Sequence, residues 1–87
     1  MKKAEVLLWI MRICNRMNLS NKVSEMATLL FLKNEHLLKN YKPKTIAGGL
    51  VHIASVLCKE RRTQGEISAF TGVSEVSIRK ICKVLKF

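Results

Sequence analysis

Arg62 to Lys83, RTQGEISAFTGVSEVSIRKICK, is the stretch whose reading decides the fold, because it spells two short helices around a glycine turn. Thr63-Gln64-Gly65-Glu66 has the form of a capping box, in which the Thr63 hydroxyl accepts from the Glu66 amide and the Glu66 carboxylate accepts from the Thr63 amide. A first helix therefore starts at Gln64. It carries Ile67 and Phe70 inward and stops near Thr71-Gly72, where Gly72 can take the positive φ that ends a helix. Ser74 then caps a second helix, with Glu75 at its electropositive N-terminus. At about 100° per residue, with Val76 as zero, Arg79, Lys80, Lys83 and Lys86 fall within about 80° of it, while Ile78, Ile81, Cys82 and Leu85 gather opposite. One face is core and the other cationic. This is a helix-turn-helix within residues 63–87, the arrangement DNA readers use to set a second helix in the major groove.

Composition points the same way. The 87 residues make one small domain, and 48% of them are apolar, enough for a packed core. Sixteen Lys and Arg face six Glu and no Asp, for a formal charge of +10. Seven cations against three Glu lie in residues 1–41 and nine against three in residues 42–87, so the half with the helix-turn-helix is the richer. Such a surplus suits a polyanion, since each neutralised phosphate releases condensed counterions. An anionic membrane surface would also suit it, but no segment reaches the eighteen or so apolar residues of a spanning helix. The apolar run Ala4 to Cys14 is short and lacks a cleavage site of the signal-peptide type, so an intracellular protein without membrane partners is expected. The three cysteines, Cys14, Cys58 and Cys82, are far apart and form no Cys-x-x-Cys, which predicts buried, reduced thiols rather than a metal site; no cofactor is expected.

Upstream of the decisive stretch the spacing predicts three more helices. In residues 3–17, Val6, Leu7, Ile10, Ile13, Cys14 and Met17 recur at intervals of three or four, with Arg12 and Arg16 on the other side. Asn18 to Asn21 is a polar break in which Ser20 or Asn21 can cap a second helix, expected over roughly residues 21–39, with Val23, Met26, Ala27, Leu30, Phe31 and Leu37 inward. Pro43 ends that run and suits the first turn of a third helix. From Thr45 to Leu57 this helix is apolar nearly all round, which places it in the middle of a bundle. Gly48 and Gly49 each cost about 1 kcal/mol relative to Ala in a helix interior, so a neighbouring helix is expected to come close there. His52 is read as a hydrogen-bonded or boundary histidine, because no carboxylate or nucleophile stands at a predictable distance from it. With no Asp and with scattered His and Cys there is no catalytic constellation, and an enzyme is not expected.

Lys42-Pro43-Lys44-Thr45-Ile46-Ala47-Gly48-Gly49-Leu50-Val51-His52-Ile53-Ala54-Ser55, Arg62-Thr63-Gln64-Gly65-Glu66-Ile67 and Thr71-Gly72-Val73-Ser74-Glu75-Val76-Ser77-Ile78-Arg79 together resemble the second cyclin-like repeat of transcription factor IIB and its archaeal counterpart, factor B. The likeness covers nearly the whole chain. Departures are His52 at a usual tyrosine, Gly48-Gly49 at a usual pair of alanines, and Lys80-Ile81-Cys82 where Asn-Arg-Tyr is common. The resemblance implies an all-α, five-helix cyclin-like domain. It also implies a place in transcription initiation, with the helix-turn-helix contacting double-stranded promoter DNA just upstream of the TATA box beside TATA-binding protein. RNA polymerase would be met through parts of the factor outside this repeat, and the domain would act as a monomer in a nucleus or an archaeal cytoplasm.

In that pattern Val76 and Arg79 face the bases. Chemistry agrees, because Arg79 can pair bidentately with a guanine edge and Val76 can meet a thymine methyl. Lys42, Lys44, Thr63, Gln64, Ser74, Ser77, Lys80 and Lys83 are the expected contacts to the DNA backbone, which position without specifying. Two other readings stay open: a cyclin-fold module whose basic surface meets an acidic protein, and an unrelated helix-turn-helix regulator that dimerises on palindromes. Taken singly, Val76 is also readable as an ordinary exposed valine, and Lys80 with Lys83 as a solvated face.

Overall fold

The computed structural model describes residues 2–87 and contains five α-helices: α1 Lys2–Arg16, α2 Asn21–Asn34, α3 Pro43–Leu57, α4 Gln64–Thr71 and α5 Glu75–Val84, with a single 3-10 turn at Glu35–Leu37. No strand occurs among the described residues. The architecture is the all-α, five-helix one expected. Helix α3 packs against each of the other four, and every residue from Ile46 to Ser55 is buried, as a helix without a polar face requires.

The two glycines of α3 are unlike. A Cβ on Gly49 would lie 2.5 Å from the Cβ of Ile81, so α5 can cross α3 only where that side chain is missing. A Cβ on Gly48 would meet Ile67 and Ile78 at 3.8 Å, an ordinary contact. Close approach, expected of both, is imposed by Gly49 alone.

Helix α2 is shorter than its pattern predicts. It ends at Asn34, whose side-chain amide donates to the Leu30 carbonyl at 2.8 Å, and the chain tightens into the 3-10 turn. That change of period turns Leu38 into the core, 1% exposed, and Leu37 out, 45% exposed, reversing the expected placement of Leu37.

Three helices end alike, without glycine. Asn18, Lys59 and Lys86 take positive φ (55°, 60° and 56°), and the following amide donates back across the last turn: Leu19 to Cys14, Glu60 to Ser55, Phe87 to Cys82, at 2.8–3.0 Å. Only α4 uses a glycine, Gly72, at φ 81°.

The junctions are tied to one another. Ser20 does sit at the N-cap of α2, but its side chain does not cap that helix. Instead its hydroxyl and its amide, the latter at 2.9 Å, both donate to the Glu60 carboxylate. Those two hydrogen bonds hold the Glu60 carboxyl below the usual carboxylate range. From the same linker the Arg62 guanidinium donates to the Met17 carbonyl at 3.0 Å. The Arg62 amide donates to Ser55 Oγ at 3.0 Å, and its carbonyl accepts from His52 Nδ1 at 2.8 Å. His52 is thus a hydrogen-bonded boundary residue, 7% exposed. The linker Lys59 to Arg62 is a clasp that ties the α1–α2 junction to the entrance of α4.

Cys14 and Cys82 are buried, whereas Cys58 is half-buried with its thiol donating to the Lys22 carbonyl at 3.6 Å. Burial, with the nearby Glu60 carboxylate adding to it, pushes the Cys14 thiol up to about 11. No cluster of potential metal ligands exists among the described residues. No helix among them is long and apolar enough to cross a membrane.

Candidate nucleic-acid interface

The helix-turn-helix closes as its residues dictate. Glu66 N donates to Thr63 Oγ1 at 3.0 Å and Thr63 N to Glu66 Oε1 at 2.9 Å, completing the capping box and holding the Glu66 carboxyl below its ordinary value. The buried Thr71 hydroxyl donates to the Ile67 carbonyl at 2.8 Å and accepts from Val73 N at 3.1 Å, so it fastens the turn from inside. That use of the inner position displaces Phe70, expected in the core, to the flank of α4, where it is 41% exposed. Ser74 Oγ accepts from Ser77 N at 3.1 Å and caps α5.

Helix α5 then presents two faces. Ile78, Ile81 and Cys82 are buried. Val76 is 57% exposed, and Arg79, Lys80 and Lys83 are exposed beside it. Arg79 has no salt-bridge partner among the described residues, so its guanidinium donors stay free for an external acceptor.

Beside this stripe the tertiary structure opens a surface groove of about 480 Å³ between the start of α3 and the helix-turn-helix. Its walls include Lys42, Lys44, Ser74, Ser77 and Lys80, five of the residues read in sequence as backbone contacts. Asn40, Tyr41 and Thr45 line the same groove and were missed, since nothing in their local pattern says that the loop before Pro43 faces Ser74. Thr63, Gln64 and Lys83 do not line it. Thr63 and Gln64 stand at the N-terminus of α4, where the Thr63 hydroxyl is already engaged with Glu66. The Ser74 and Ser77 hydroxyls are hydrogen-bonded to each other at 2.9 Å. Lys44 is drawn toward α1, its ammonium 4.9 Å from the centre of the Trp9 ring.

The family model described as the transcription factor TFIIB repeat matches residues 2–86. The chain is 34% identical over 79 residues to a transcription initiation factor IIB of Methanosarcina mazei, covering 88% of this chain and 23% of that protein. It is 37% identical over 79 residues to the one of Archaeoglobus fulgidus, covering 88% and 24%. A plant-specific TFIIB-related protein of Arabidopsis thaliana is 32% identical over 76 residues, covering 85% and 15%. The chain spans about a quarter of the length of the archaeal relatives it matches. From the capped helix-turn-helix at one end to the first turn of α1 at the other, the chain belongs to the transcription factor TFIIB repeat family.

Proposed function

We propose that this domain contacts double-stranded promoter DNA through α5, immediately upstream of a TATA box and beside TATA-binding protein, as part of a general transcription initiation factor. The observation that carries the reading is the exposed stripe Val76, Arg79, Lys80 and Lys83 on a helix whose opposite face is fully committed to the core. Val76 and Arg79 meet bases; Lys80 and Lys83, with Lys42, Lys44, Thr63, Gln64, Ser74 and Ser77, meet phosphates or sugars. The groove beside Ser74 supports five of the second set, Lys42, Lys44, Ser74, Ser77 and Lys80, because the three lysines and two serines share it without a carboxylate in its walls. RNA polymerase is engaged by other parts of the factor, and the domain works as a monomer. The family is one of transcription factors, not of enzymes.

The test is a gel-shift series on duplexes varied upstream of a TATA box, with and without TATA-binding protein. Arg79→Ala should cost about 1–3 kcal/mol and flatten the preference at one base step. Lys80→Ala should weaken all duplexes alike and lower the salt slope by about 1. Unchanged affinity and preference in the Arg79 variant would sink the assignment.

A further inference from the structure

The helix-turn-helix holds two carboxylates, and only one of them is engaged. Glu66 is bound into its capping box with Thr63. Glu75, the first residue of α5, is exposed, and among the described residues its carboxylate has neither a hydrogen-bond donor nor a salt-bridge partner. At about 100° per residue it lies about 40° from Arg79 and one turn before it, on the edge of the stripe opposite Lys80. The carboxylate rests across the first turn of α4, where a Cβ on Gly65 would lie 3.8 Å from its Cδ and from both its oxygens. With glycine at 65 no side chain pins it there, so its reach costs only rotamer freedom.

A negative charge in this place is costly wherever it meets phosphate and useful only where a donor faces it. In the major groove the donors are the amino groups of cytosine and adenine. Guanine and thymine offer acceptors at that edge, and adenine sets its N7 acceptor beside the amino group, so cytosine alone faces a carboxylate without repulsion. We propose that Glu75 is a specificity-determining residue of the α5 surface: it accepts a hydrogen bond from the amino group of a cytosine near the guanine met by Arg79, and it repels duplexes that present an acceptor or a phosphate there. Four residues of helix rise about 6 Å and base pairs stack about 3.4 Å apart, so the two contacts fall within about two base steps. The inference rests on the promoter reading and gives that interface a repulsive element beside its attractive ones. Helix-dipole stabilisation at the start of α5 is the plain structural role of such a residue, and it carries no base preference.

The test is binding-site selection from a duplex library randomised upstream of a TATA box, run in the presence of TATA-binding protein with the parent, Glu75→Gln and Arg79→Ala domains. A glutamine amide pairs with adenine N6 and N7, so Glu75→Gln should move the preferred base at one position from cytosine to adenine. About tenfold of the cytosine preference should be lost, while the guanine preference that Arg79→Ala removes persists. Scrambled duplexes should bind Glu75→Gln about two- to threefold more tightly at low salt, because one repulsion is gone. Gln keeps the shape of Glu at an exposed site, and far-UV circular dichroism with thermal melting checks the fold of each variant. An unchanged base profile in Glu75→Gln, beside a lost guanine preference in Arg79→Ala, would overturn the inference and leave the promoter reading standing. So would an equal weakening on every duplex, which marks a structural role alone. If Arg79→Ala changes nothing either, the promoter reading falls and the inference falls with it.

Discussion

Gly48 and Gly49 are adjacent, chemically identical and opposite in consequence. Ala at position 49 brings a Cβ to 2.5 Å from the branch point of Ile81, a group too close to its own backbone to swing away. Gly49→Ala should therefore destabilise the domain by about 1–3 kcal/mol through overpacking. Ala at position 48 meets Ile67 and Ile78 at ordinary contact distance and removes the helix-interior cost of glycine. Gly48→Ala should stabilise by up to about 1 kcal/mol. Paired denaturant melts check the sign as well as the size. Sequence reading recognised that the pair is costly in a buried helix; which of the two is required depends on the register at which α5 crosses. Phe70 teaches the same lesson. Its spacing from Ile67 suits a core residue, yet Thr71 is bound into the turn by two hydrogen bonds and takes the inner position.

At the scale of the element, caps were more legible than interiors or ends. The Thr63 capping box, the Ser74 cap and the Gly72 stop are local devices whose partners lie within three or four residues, and all were read correctly. The end of α2 was not, because the chain leaves the α period at Asn34 without a glycine or proline to announce it. Nor were the positive-φ residues Asn18, Lys59 and Lys86 visible as such. Left-handed backbone is strained for lysine, and the surrounding bonds hold it there. Lys59→Gly should relieve that strain and, after the entropy glycine adds to the unfolded chain, stabilise by about 0.5–1 kcal/mol. A rise in thermal midpoint with no loss of helical signal is the expected observation; a fall would mean that the Lys59 side chain contributes more than its backbone costs.

For the molecule as a whole, the Glu60 clasp links the α1–α2 junction to the entrance of the helix-turn-helix. The Glu60 carboxyl is lowered, first by the Ser20 hydroxyl and then by the Ser20 amide. A group lowered in the folded state contributes stability that is present above its unfolded pKa, near the ordinary carboxylate value, and is lost as pH falls through the folded one. Glu60→Gln should therefore melt below the parent at pH 7, and the two melting temperatures should converge as the pH is taken below the carboxylate range. A constant gap at every pH would show that charge plays no part in the clasp. Cys14 acts at the other end of the scale. Its thiol, raised to about 11, favours the fold while it stays protonated, and that contribution is lost as pH rises from the ordinary thiol range through about 11.

The amino-acid sequence by itself determined the helical class, the number of helices, the central place of α3 and the two faces of α5. Each of these is a property of periodicity and of short-range capping, carried within a few residues of chain. Only the tertiary structure decided which glycine the fold needs, which side chains share the groove beside Ser74, and that Trp9, Arg12, Arg16, Lys44 and Phe70 meet on one surface. Those are relations between residues tens of positions apart, set by how helices cross, and no local pattern records a crossing.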